Sequence, residues 1–309
     1  MTPHDAIDRA CAEVGIVPPP SYQEGRWTKT DTLEGKSGKG DGRIIVDEGR
    51  VTSWNWQTGE KATVFMDEGR KPDRQQFARA AAQRRDEDRA RAARAAAIAQ
   101  ELVRRAQLKP HGYLAAKGFA SERGLVLGSD AVREIAGRYI VPDGARAALV
   151  IPARIGERIS SAQLIWEGGE KRFLAGGEMG GACHRLSKGT DTWLCEGLAT
   201  GMSLRAALRG LGRSDTVIIG FSAYNLPVLA RTIRGRCFIA ADHDKPMEQF
   251  DGLGTGEHCA RQAGQPYVMP ERLGDDFNDV HQDSGIFAVQ RHLADLIRRG
   301  TMQASGVAA

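Results

Sequence analysis

The sequence points to an α/β protein in which a parallel sheet with flanking helices is preceded by a smaller α+β domain, a long linker helix and a small N-terminal α+β module. Three observations lead there. From Asp191 onward, short apolar runs (TWLCEG, TVIIGF, RCFIAADHD, PYVMP) alternate with helical patterns, as strands buried on both faces of a parallel sheet require. From about Arg74 to Leu108 the chain is rich in Ala, Arg, Gln and Glu and has neither Gly nor Pro, so it is built from strong helix formers. Before that segment, short β-type runs are broken by Gly and charged turns.

The elements follow in order. Asp5 to Val14 reads as a short helix ended by Gly15 and the Pro18-Pro19-Pro20 run. Gly42 to Val46, Val51 to Trp56 and Ala62 to Phe65 read as strands of a hairpin or meander, closing a module over 1–73. The linker helix, 74–108, would reach roughly 50 Å at its rise per residue. Its centre, AQRRDEDRARAARAAA, has no apolar stripe, and Ile98, Leu102 and Val103 are its candidate anchors. Over 109–189, HGYLAAKGF suggests a helix ended at Gly118, and ALVIPAR with RISSAQLIWE suggests a hairpin turning at Ile155-Gly156-Glu157. The alternating region occupies 190–299 and closes on an amphipathic helix from about Ile286 to Arg298. Residues 300–309 read as a disordered tail.

Composition excludes several function classes. The chain has 309 residues and a formal net charge of +4, so any basic surface that meets nucleic acid has to be local. Its five cysteines, Cys11, Cys183, Cys195, Cys237 and Cys259, lack the spacing of a zinc site. They read as reduced thiols, and zinc is not expected. No signal peptide and no membrane-spanning run is visible, and a cytoplasmic protein with no membrane partner is expected.

Acidic residues stand just past the apolar runs: Glu196 after the first, Asp242 and Asp244 after the third, and Asp275, Asp276, Asn278 and Asp279 in GDDFNDV after the next. In an open parallel sheet the ligand crevice lies at the carboxyl ends of the strands. Carboxylates gathered there repel one another unless a cation neutralises them. Hard oxygen donors select Mg²⁺ or Mn²⁺. One Asp-x-Asp alone reads rather as solvated loop acids or helix caps, but acids at three strand ends favour a metal-dependent site over Glu196, Asp242, Asp244, Asp276 and Asp279.

LCEGLATGMS followed by FIAADHDKP resembles the Toprim domain of bacterial primases, topoisomerases and related nucleases. The resemblance implies that Glu196 acts in acid/base chemistry or metal binding and that Asp242 and Asp244 hold Mg²⁺. Many replicative primases carry another acid four residues after the glutamate, where this chain has Thr200. Upstream, YLAAKGF and LVIPARIGERISSAQLIWEGGEKRFLAGGEMGG are similar to the segment before the Toprim domain in plasmid- and phage-encoded primases, those of conjugative plasmids included. GDGRIIVDEGRVTSWNWQTGEKATVF is similar to the module that opens such proteins, without a recognisable zinc module. The resemblance implies a primase that joins ribonucleoside triphosphates on a single-stranded DNA template for plasmid or phage replication or transfer, with a helicase or relaxase as partner. The alternatives are a Toprim metal-dependent nuclease and a non-catalytic single-stranded-DNA-binding accessory protein.

Basic residues are placed around this chemistry. Lys171 and Arg172 precede the Gly176-Gly177 turn and are candidates for pairing with a triphosphate; Lys245, directly after the Asp-x-Asp, is a third. Arg26, Lys36, Lys39 and Trp54 are candidate DNA contacts. Trp27, Trp54 and Trp56 could stack single-stranded bases or pack in the core of a small sheet. GKSGKGDG is no ATPase loop, since the first glycine of that pattern is replaced by Thr30. His243 reads as a loop residue or a supporting hydrogen-bond donor, and Cys183-His184 as structural.

Overall fold

The computed structural model describes residues 1–33, 38, 40–47, 49–66 and 74–305. The chain divides into two compact units, Met1–Arg85 and Asp86–Ala309, and is of mixed α/β construction.

The first unit begins with α1, Pro3–Glu13, whose start is set by a capping box between Thr2 and Asp5. Strands β1 (Thr28–Thr30), β2 (Gly42–Asp47), β3 (Arg50–Asn55) and β4 (Lys61–Phe65) form an antiparallel sheet in sequence order. Ala6, Ile7, Ala10 and Val14 bury α1 against Ile44, Val46, Val51 and Val64. The Ser53 hydroxyl donates to the Ala10 carbonyl at 2.7 Å and the Asn55 amide to the Val14 carbonyl at 2.9 Å, tying helix to sheet. Because successive strand residues face opposite ways, the side chains of Arg43 and Trp54 emerge on the face away from α1.

Helix α2 runs Arg74–Arg105. Its buried residues are chiefly small: Ala95, Ala99 and Leu102 stand on one stripe and join a cluster with Val132, Ile140, Val150, Leu164 and Trp166. The expected anchor at Leu102 holds, and the alanines extend it. Strands β5 (Gln107–Lys109), β6 (Gly124–Gly128), β7 (Ala147–Ile155), β8 (Arg158–Trp166) and β9 (Lys171–Phe173) form the second antiparallel sheet, with α3 (Gly112–Ala116) and α4 (Ser129–Ala136) in its connections. The β7–β8 hairpin turns over Gly156 and Glu157, as the sequence suggests.

The third sheet has the order β10-β12-β11-β13-β14. Its strands are β10 (His184–Ser187), β11 (Thr192–Cys195), β12 (Thr216–Ile219), β13 (Cys237–Ala240) and β14 (Tyr267–Val268). The last four are mutually parallel and β10 is an antiparallel edge. Between and after them come α5 (Leu198–Gly210), α6 (Leu226–Ala230), α7 (Thr255–Ala263), α8 (Phe277–Ser284) and α9 (Ile286–Ser305). Alternate strand residues serve the two faces. Trp193, Val217 and Phe238 pack with α5 and α9, while Leu194, Ile218 and Ile239 pack with α6 and α7. Each fully buried side chain of this size stabilises the fold by about 1.5–3 kcal/mol. Helix α9 extends past the expected Arg298 to Ser305, so 300–305, read as part of a disordered tail, are helical. The apolar stripe of α9 fades there, which is why the pattern alone ends it early.

Candidate active site

The first parallel strand, β11, lies between β12 and β13, so the chain leaves it toward opposite sides of the sheet. In an open parallel sheet such a reversal, here at the carboxyl ends of β11 and β13, is where a ligand crevice is expected. Glu196 follows β11 directly, and Asp242 and Asp244 follow β13. Asp276, at the start of α8, is within electrostatic reach of both groups. Asp242 thus feels the charges of Glu196, Asp244 and Asp276, and Glu196 those of Asp244 and Asp276.

Their electrostatics carry the mark of crowding. The Asp242 carboxyl is pushed up to about 8, first by burial and then by the charges of Glu196, Asp276 and Asp244. Glu196 is raised by burial and by Asp244, against the pull of Lys171 and a hydrogen bond from the Ala223 backbone. Asp242 Oδ1 is buried and has no hydrogen-bond partner. Asp244 is better served: its Oδ2 accepts from the Gly256 N–H at 2.8 Å, at the start of α7. The connection is tight, because a Cβ on Gly256 would stand 2.3 Å from the Asp242 carbonyl oxygen, and one on Gly254 2.3 Å from that of Asp244. The Gly254-Thr255-Gly256 segment thus lets α7 press against the Asp-x-Asp turn, a role the sequence did not single out.

The acids of GDDFNDV also build the start of α8 and its approach. Asp276 caps α8, with Oδ1 accepting from the N–H groups of Asn278 and Asp279. Asp279 closes the capping box by accepting from the Asp276 N–H at 3.0 Å; it serves the helix start and does not join the four carboxylates. Asp275 pairs with Arg272. Asn278 is fully buried and donates to the Lys117 carbonyl and the Ser203 hydroxyl. Thr200 is buried in α5.

The basic pair of β9 is split by strand alternation. Lys171 faces the acids, and its Nζ lies 4.0 Å from where a side chain on Gly197 would begin. Arg172 turns the other way, to the Glu170 carboxylate at 2.7 Å and the Tyr139 carbonyl at 2.5 Å. The expectation that both cations face the crevice is corrected to Lys171 alone. Lys245 is exposed and is not among the charges acting on the buried acids. His243 is a supporting residue: its Nδ1 is 2.9 Å from the Pro270 carbonyl and its backbone bonds Asp275 and Gly274. His184 likewise meets the Pro152 carbonyl beside the half-buried Cys183.

Two neighbours of the site had no sequence signal. Phe221, held at φ 67 where a side chain is strained, donates its N–H to the Glu196 carbonyl and meets Phe173 edge to face at 5.9 Å. Tyr113 is buried with its hydroxyl unpartnered, and burial and the charge of Asp276 push it up to about 12. It reaches the site from a helix far upstream, so no local pattern announces it.

The donor set suits a hard divalent cation. Oxygen ligands, mutual repulsion and an orphaned buried carboxylate oxygen are what such an ion would relieve. Among the described residues no group of three or more His, Cys, Asp or Glu side chains is arranged so that it could hold a metal ion. Mg²⁺ is commonly held by one or two carboxylates together with water and substrate phosphates.

In the first unit, Trp54 is half-buried and Arg26 exposed. Lys36 and Lys39 lie outside the described residues. The Asp31 carboxylate accepts from the N–H groups of Gly38 and Gly40 and is held below its usual range by those bonds.

No protein-family model matches the chain. Among solved structures, the primase fragment of the bacteriophage T7 primase–helicase protein aligns at 14% identity and a TM-score of 0.36, over 49% of this chain and 64% of that one. This chain thus spans less than two thirds of that neighbour's length. A complex of the T7 lagging-strand DNA polymerase with primase domains of two gp4 subunits, bound to an RNA/DNA hybrid and dTTP, aligns at 13% and 0.35, over 50% and 78%. No described helix is long and apolar enough to cross a membrane.

Proposed function

We propose that the chain is a Toprim-type DNA primase that joins ribonucleoside triphosphates into short primers on single-stranded DNA. The observation that carries this reading is the gathering of Glu196, Asp242, Asp244 and Asp276 at the sheet's reversal point, with an unpartnered Asp242 oxygen and Lys171 facing them. The positions of Glu196 after β11 and of Asp242 and Asp244 after β13, with the Toprim resemblance in LCEGLATGMS and FIAADHDKP, support this reading.

In this reading Asp242 and Asp244, with Glu196, hold Mg²⁺ or Mn²⁺, which when bound neutralises charge on the reacting phosphates. The 3′-hydroxyl of the growing primer attacks the α-phosphorus of the incoming nucleotide, forming one P–O bond as the bond to pyrophosphate breaks. Glu196, whose carboxylate is made more basic by burial and by the charge of Asp244, accepts the hydroxyl proton. Lys171 steadies the departing pyrophosphate. Asp276 supplies the further negative charge that an acid at position 200 would otherwise give. A helicase or relaxase partner and a cytoplasmic setting belong to the same proposal.

The test is primer synthesis by purified protein on single-stranded DNA with Mg²⁺ or Mn²⁺ and labelled nucleoside triphosphates, beside Asp242→Asn. Short labelled products, absent in the variant, are expected. Shortened template without products would replace the reading with a nuclease, and DNA bound but unchanged would replace it with an accessory binder.

A further inference from the structure

The outer face of the first unit's sheet carries a feature that the catalytic reading leaves unused. Strand register places Lys29 of β1 beside Arg43 of β2, Arg43 beside Trp54 of β3, and Trp54 beside Lys61 of β4, a single row across four strands. Trp54 is flanked by Trp27, with ring centroids 6.3 Å apart, and by Trp56 at 4.9 Å. Lys61 Nζ stands 4.0 Å above the Trp54 ring and the Arg43 guanidinium 5.1 Å from the Trp56 ring. Trp27 is 49% exposed and Trp56 54%. A core role is excluded by alternation, since Val51, Ser53 and Asn55 are the β3 residues that face α1.

Large aromatic rings left in water cost free energy unless something covers them. Cations interleaved with them favour a polyanion that also presents flat apolar faces. A single-stranded nucleic acid has both properties, whereas a duplex hides its base faces. We infer that this face of the N-terminal unit is a binding platform for single-stranded nucleic acid, with bases stacking on Trp27 and Trp56 and phosphates meeting Lys29, Arg43 and Lys61. Trp54, covered by Lys61 and its neighbours, is the floor that orients the other two rings. The platform is independent of the carboxylate site and needs neither metal nor nucleotide.

The test uses the full chain in EDTA, without nucleotides, titrated with a short fluorescent oligo(dT) and with a duplex of equal length. Binding to the single strand is expected, with affinity falling as salt rises and much weaker binding to the duplex. Trp27→Ala with Trp56→Ala should weaken it by about 10²-fold, since each stacking loss costs on the order of tenfold, while Trp56→Phe retains most of it. Asp242→Asn should bind as the parent does. Thermal melting reports whether the double alanine variant folds; if it does not, Lys29→Glu with Lys61→Glu provides the same reading through charge. Undiminished binding by a folded variant, equal affinity for duplex, or no binding by the parent would overturn the inference. So would a dimer that these substitutions dissociate while DNA binding persists, since the face would then join two copies. A protein that binds oligo(dT) here yet makes no primers keeps this inference and loses the primase reading.

Discussion

At the scale of the residue, Asp242 links charge to stability. Its carboxyl, ordinarily at 3.8, is pushed up to about 8 in the fold. Between those values the folded chain holds more protons than the unfolded one, so without divalent ions stability falls as pH rises through that window and levels off above it. Thermal melts of the metal-free protein should show that slope, and Asp242→Asn should flatten it. Mg²⁺ should raise the melting temperature most near pH 8 in the parent and little in the variant; an equal rise in both would place the ion elsewhere. Lys171 opposes the crowding and Arg172 does not. Lys171→Met should therefore reduce primer synthesis by about 10²-fold, while Arg172→Met leaves it near the parent's rate. Glu196, Asp242 and Asp244 were legible because each follows an apolar run. Asp276 and Asp279 were not separable, since a capping box and a cation site draw on the same residue type. Tyr113 was invisible because only tertiary packing brings it near Asp276.

At the scale of the element, the site depends on how closely α7 meets the end of β13. A methyl group on Gly256 would sit 2.3 Å from backbone oxygen, which cannot yield as a side-chain tip would. Gly256→Ala should displace α7, lower the melting temperature and abolish primer synthesis. At the other end of the strands, Asp215 is buried and accepts from the Trp193 indole and from Arg213, which also pairs with Asp191. Arg213→Met should leave the buried Asp215 without its ion-pair partner, while Asp191 keeps Arg236, and cost about 3 kcal/mol in urea denaturation, with the reaction of the remaining folded protein unchanged. The strand–helix alternation was readable because both faces of each strand are apolar. Strand order was not, since it is set by crossovers between distant segments, and neither was the antiparallel edge β10, which is short and polar on one side. The stripe of α2 escaped notice because it is built from alanine, which buries well but weighs little in an apolar pattern.

At the scale of the whole molecule, the two units have separate cores: Ala6, Ile7, Val14, Ile44 and Val64 in the first, and clusters that begin at Ala95 in the second. A core drawn only from nearby sequence folds without the rest of the chain. The carboxylates and Lys171 all belong to the second unit, and the tryptophan row to the first. Residues 74–309 alone should therefore melt cooperatively and keep the Mg²⁺-dependent rise in melting temperature that Asp242→Asn removes. They should lose most of the metal-independent affinity for oligo(dT), so primer synthesis would survive at high template concentration and fall steeply at low. A fragment that aggregates, or that synthesises nothing even with saturating template, would show that the first unit is needed to build the catalytic site itself. A fragment that binds oligo(dT) as tightly as the full chain would move the single-strand contact out of the tryptophan row and into the second unit.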